Sequence, residues 1–295
     1  RSGAGVEGGG GVERGGGKAK DAGFKEAVSD RHARTEGGEK GDKGAAERTY
    51  GAILEADTED AIARSGLEEL KRESGDDEGL AELLLERAET ISDPVERAEV
   101  LLEIARLYET RIKGPEDALV AWTQAVADDT SDARSARAVG RLAEHDQDRW
   151  NEVMATLAET VQETGDVPEA VPLYCLMGRW YGDALKRPDF ALPCFAKAIE
   201  IDPHCDAAYE GSLTLYRGAQ SWPEVVQVLE ARAAASSNPA AARDHRAAAA
   251  DVVLRKVGDQ ARAVGMLEAI LEQDPGHPGA IDSLISIHEE KKEWK

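Results

Sequence analysis

The chain has 295 residues, 41% of them hydrophobic but only 5% aromatic, and a formal net charge of −22. That length fits two ordinary domains or one elongated array, no apolar run of about eighteen residues offers a membrane span, and so acidic a body repels phosphate backbones, which argues against nucleic acid as main ligand. Three cysteines, Cys175, Cys194 and Cys205, form an odd set without metal-ligand spacing, which points to a reducing, cytoplasmic compartment rather than a disulfide scaffold.

Residues 1–44 hold 14 of the 29 glycines and carry nine Lys/Arg against eight Asp/Glu, so this segment is +1 and the remainder −23. It is too poor in large apolar side chains to offset the entropy of ordering it, and its glycines lack the GxxxxGK[ST] order of a phosphate loop. A disordered, Gly-rich lead-in is expected over 1–44. The chain starts at Arg1 and stops at Trp294-Lys295, in the middle of a repeat, so a fragment of a longer array is expected.

From residue 45 to 295 the pattern is helix–turn–helix throughout. Tyr50, Trp122, Phe195 and Leu267 stand 72, 73 and 72 residues apart, and Ala46, Ala118, Ala191 and Ala263 precede each of them by four. Leu70, Leu142, Leu215 and Ile287 repeat at the same intervals, and Trp150, Trp222 and Trp294 are spaced by 72. Half of 72 is 36, so each double repeat holds two hairpins of different kinds. The first kind spans 97–129, 168–202 and 244–275, with a turn one residue longer than usual; the second spans 58–89, 131–166 and 204–236. The expected array is six full hairpins with a half at each end.

The stretch Met177–Pro203 shows the hairpin logic. Gly178 and Ala191 let two helices approach, Tyr181 and Phe195 fill the space beside them with Ala198 behind, and Pro203 stops the second helix. Tyr108, Ala118 and Trp122 occupy the same columns in the preceding copy and Ala263 and Leu267 in the next, while Trp150 and Trp222 open trailing helices as packing residues. This order of small and aromatic residues resembles the tetratricopeptide repeat. The resemblance implies an all-α, right-handed superhelical solenoid of antiparallel helix hairpins, with leading helices lining a concave groove.

No catalytic constellation accompanies the pattern. The histidines form no HExxH, no calcium loop or GxSxG is present, and the carboxylates of Asp76-Asp77-Glu78 and Asp128-Asp129 fall in expected turns, where they suit helix caps. His204-Cys205 is expected to be a loop pair, and Cys175 and Cys194 small packing residues. No enzyme, cofactor, metal, membrane or nucleic-acid role is assigned.

The resemblance implies that outward positions on the leading helices do the binding. These include Glu99, Leu102, Arg106 and Glu109, then Arg137 and Arg141, then Cys175 and Arg179, then Glu210, Thr214 and Arg217. The asparagines of a carboxylate clamp are missing from them. Arg106, Arg141 and Arg179 form a row that could meet acidic side chains or a carboxylate, or simply pair with neighbouring Glu residues. The expected function is a non-catalytic scaffold that holds a peptide or protein partner. The alternatives are a docking array attached to an enzyme domain outside this stretch and, below that, an RNA-processing array of the half-tetratricopeptide kind.

Overall fold

The computed structural model describes residues 43–58 and 60–291. Residues 1–42 and Trp294 lie outside them, so most of the Gly-rich lead-in and the last tryptophan column do too. Among the described residues there are fourteen α-helices and no strand. Lys43 and Gly44, placed in the lead-in by the sequence, form the first turn of a helix.

The described chain divides into two compact units at Ala121–Trp122. The first contains α1 (Lys43–Ala56), α2 (Ala61–Ser74), α3 (Asp77–Thr90), α4 (Pro94–Leu107) and the start of α5 (Pro115–Asp128). Aspartates start three of these helices: Asp60 accepts from the Ile62 and Ala63 N–H groups, Asp76 from Gly79 and Asp93 from Glu96. Each satisfies donors that a helix start otherwise leaves open. Tyr50, Ala46, Ala63 and Leu67 form a buried cluster, backed by Ile53, Leu54 and Leu70. Its tightest point is Gly66, where a Cβ would stand 2.4 Å from the Tyr50 ring. The tyrosine lies directly on the backbone of α2.

The second unit continues with α6 (Ala133–Leu142), α7 (Gln147–Thr164), α8 (Val171–Asp183), α9 (Pro188–Ile201) and α10 (Asp206–Gly218). It ends with α11 (Trp222–Ala235), α12 (Pro239–Val252), α13 (Gln260–Gln273) and α14 (Pro278–Lys291). Asp132, Asp146, Asn238 and Asp259 cap helices here. Burial would raise the pKa of Asp132, but hydrogen bonds from Ser135 and Arg134 hold it well below the usual carboxylate range.

Successive hairpins share seams. Phe195 on α9 is buried with Val171, Cys175, Ala191, Ala198 and Ala208. A Cβ on Gly178 would come within 2.6 Å of its ring, and one on Gly211 within 2.3 Å. The ring is therefore pressed between the backbones of α8 and α10. Leu213, Val225, Val226 and Leu229 pack with Ala249, Val253 and Ala263, and Ala250, Leu267, Ile270, Ala280 and Ile287 form the last cluster. A helix of 14 residues, the length of α9, α11, α12 and α13, is about 21 Å long. Its stripe is covered only when the next hairpin is in place, the condition that defines repeat proteins. The structure is thus an all-α array of tetratricopeptide-like hairpins.

The longer turn of the first hairpin kind has one physical form. After α4 the chain widens into a π turn, Tyr108–Ile112, and after α12 into another, Val253–Val257. Lys113 and Gly258 end these turns in the left-handed region, and Lys186 does so after α8. The N–H of the following residue then bonds a carbonyl six residues back: Gly114 to Tyr108 (3.0 Å), Arg187 to Tyr181 (2.7 Å) and Asp259 to Val253 (3.2 Å). The extra residue is absorbed as a wider last turn, so the helices on either side keep their packing.

Candidate partner-binding surface

In the first unit Glu99 and Arg106 are exposed on α4, and the Arg106 guanidinium forms no ion pair with a described residue. Leu102 is not an outward residue. It is 2% exposed, because α4 is buried on more than one side: Ala98, Leu101, Ile104 and Ala105 are covered, and Val100, Leu102 and Leu107 as well. The buried face of α4 is wider than a single stripe, with Glu99 and Arg106 left on the exposed side, and a one-stripe reading places Leu102 on the wrong side.

In the second unit Arg137 and Arg141 are exposed one turn apart on α6, with the Arg137 Nε donating to the Ala133 carbonyl (2.9 Å). Arg179 is exposed on α8 and Arg217 on α10, neither with an ion-pair partner among the described residues. Pairing with neighbouring glutamates therefore does not account for Arg106 or Arg179. Cys175, read from the sequence both as a small packing residue and as an outward one beside Arg179, belongs to the Phe195 cluster. Burial pushes its thiol up to about 12, and that of Cys194 up to about 11. Among the packing residues, Tyr50, Ala118, Trp122, Trp150, Ala191, Phe195, Ala198, Ala263 and Leu267 are buried. Tyr108, Tyr181 and Trp222 are half-buried; Tyr181 stacks on Phe190 with centroids 5.3 Å apart, and Lys256 sits over the Trp222 ring.

Glu210 and Thr214 are exposed on α10. The Thr214 hydroxyl donates to the Glu210 carbonyl at 2.8 Å, while the Glu210 carboxylate is held by Arg232 from the last turn of α11. The same guanidinium reaches Asp206 at 2.9 Å. Burial works against the Arg232 charge, and the two carboxylates outweigh it, so its pKa is raised. Asp206 and Arg232 line a cleft of about 300 Å³ between α10 and α12, together with Tyr209, Ser236, Asn238 and His245, and Glu210 stands beside it, held by the same guanidinium. Burial, then the charge of Arg232, lowers the His245 pKa, with Asp206, Asp244 and Glu210 opposing. Arg232 thus faces two carboxylates, Asp206 in the lining and Glu210 beside it, so the carboxylates outnumber the cation at this edge of the cleft when His245 is neutral. Sequence reasoning found Glu210 and missed Asp206, Arg232 and His245; the available signal was a lone arginine in the alanine-rich end of α11.

Among the described residues, no group of three or more His, Cys, Asp or Glu side chains could hold a metal ion. None of the described helices is long and apolar enough to cross a membrane.

No protein-family model and no curated protein matches this chain. Solved structures do. The C-terminal part of a TPR repeat-containing protein from Cytophaga hutchinsonii is 14% identical, over 88% of this chain and 99% of that one, with a TM-score of 0.37. YrrB, described as a TPR protein with an unusual peptide-binding site, is 18% identical over 63% of this chain and 91% of its own, at 0.33. The TPR2AB domain of yeast Sti1, solved in a complex with pHSP90, is 16% identical over 91% and 96%, at 0.29.

Proposed function

We propose that this array is a non-catalytic protein–protein interaction scaffold whose leading-helix faces receive a peptide or protein segment. The observation that carries the reading is the cleft between α10 and α12, which combines room for a side chain with fixed polar groups. Asp206 and Glu210 are ordered by Arg232 before any partner arrives, so little side-chain entropy remains to be lost on binding. Their excess negative charge, within a chain of −22, favours a basic segment and speeds its arrival at low salt. The exposed Arg179 and Arg217 on the neighbouring leading helices suit acidic groups flanking that basic anchor.

The test is fluorescence anisotropy with labelled peptides that carry a central Lys/Arg pair, against charge-reversed controls. Wild-type protein should bind the basic set, with affinity falling as salt rises. Asp206→Asn with Glu210→Gln should weaken it by about tenfold or more, and Arg179 and Arg217 changed together to Glu should alter the preference for flanking residues. Equal binding of basic and acidic peptides by all three proteins would overturn the reading.

A further inference from the structure

The helix-start column of the second hairpin kind is Asp60, Asp132, Cys205 and His277, at intervals of 72, 73 and 72. Three of the four cap the helix that follows. Asp60 and Asp132 accept from two backbone N–H groups each, and His277 Nδ1 accepts from Ala280 at 3.2 Å. Cys205 makes no such bond. Its sulfur lies instead 3.4 Å from that of Cys175, on the neighbouring leading helix α8. The column has given up a cap and gained a thiol–thiol contact.

We propose that Cys175 and Cys205 are a reversible disulfide site, closed by a low-molecular-weight disulfide, that links α8 to the start of α10. The two sulfurs must approach by roughly 1.4 Å to reach bonding distance. Cys205 can supply that movement, because it sits in the turn between Ile201 and α10. It is the half-exposed member and Cys175 the buried one, which sets the order of events. The Cys205 thiolate attacks one sulfur of the small disulfide, forming a mixed disulfide and releasing one small thiol. The Cys175 thiolate then attacks the Cys205 sulfur, the protein S–S bond forms, the mixed S–S bond breaks, and the second small thiol leaves. The two protein thiols together lose two electrons and two protons, and the small disulfide becomes two thiols. The thiol of Cys175 is raised by burial, so it suits the second, intramolecular step rather than the first encounter. Cys194, on α9 and outside the sulfur pair, is a control built into the chain. The proposal does not depend on the partner reading.

The full chain is equilibrated with oxidised and reduced glutathione over a range of ratios, acid-quenched, alkylated and mapped by mass spectrometry. Wild-type protein should pass from three alkylatable thiols to one, with a single cross-linked peptide pair joining Cys175 and Cys205, reversed by excess reduced glutathione. Cys194→Ala should behave identically. Cys205→Ala, which removes the exposed member, and Cys175→Ala, which removes the buried one, should both lose the cross-link. A cross-link that uses Cys194, cross-links only between chains, or a stable glutathione adduct on Cys205 without closure would each overturn the proposal.

Discussion

The seams at Phe195 and Leu267 occupy one column of the repeat, 72 residues apart, yet they fill their space in different ways. At Phe195 a large ring lies between two glycines, Gly178 and Gly211. At Leu267 a smaller side chain packs with Ala250 where the equivalent of Gly178 stands, and the position equivalent to Gly211 is Ser283. The volume removed from the knob has returned on the walls. What the repeat holds constant is the filled space of the seam, not the residue in it, as close-packed interiors require.

The largest expected effect comes from emptying the knobs. Phe195→Ala should cost about 3–5 kcal/mol, and Leu267→Ala about 2–5 kcal/mol, towards the lower end. Urea unfolding followed by helical signal ranks them, and equal losses would remove the distinction between the seams. Overfilling comes next. Gly211→Ala places a methyl inside the Phe195 ring contact, and Leu267→Phe crowds Ala250; each should cost about 1–3 kcal/mol. Adding Ala250→Gly should recover part of the Leu267→Phe loss and none of the Gly211→Ala loss. Gly265 on α13 is the contrast, since a Cβ there meets nothing within 4 Å. Gly265→Ala should stabilise by about 0.5–1 kcal/mol through helix propensity alone, read from the same melts.

The smallest expected effect is a pH response confined to the α12 side. The His245 pKa is depressed below 6.5 in the folded chain, so the unfolded form takes up the proton first. Stability should be flat above about pH 6.5 and decline as pH falls from there through the lower folded value. His245→Gln should flatten that decline in melts between about pH 7 and pH 5. The Phe195 seam, with no histidine in its buried cluster, should not share it.

The sequence period made the all-α hairpin pattern legible, because Ala191, Phe195 and their counterparts keep their intervals through four copies. Gly66 and Gly211 escaped notice for a physical reason. Each accommodates a ring from the preceding hairpin, so a search for pairs within one hairpin, which finds Gly178, passes over them. Their signal was present as small residues sixteen positions after each column member: Gly66, Ala138, Gly211 and Ser283. Leu102 was misplaced because α4 buries a face wider than one stripe, and Cys175, read both as a packing residue and as an outward one, proves to be the former. The cleft is harder to see than either, since its lining comes from α10, α11 and α12 and its character depends on Arg232 being drawn between two carboxylates. The longer hairpin turn was visible as an added residue, but its π form and left-handed ending were not.

That widened turn sets the smallest module that can be removed cleanly. It follows α4, α8 and α12, the leading helices of the first hairpin kind, so a single hairpin is not interchangeable with its neighbour. An excision of 132–204, from one helix-start column to the next, rejoins like to like. Removing half as much would set one widened hairpin directly against another, and leave a seam for which neither side was shaped.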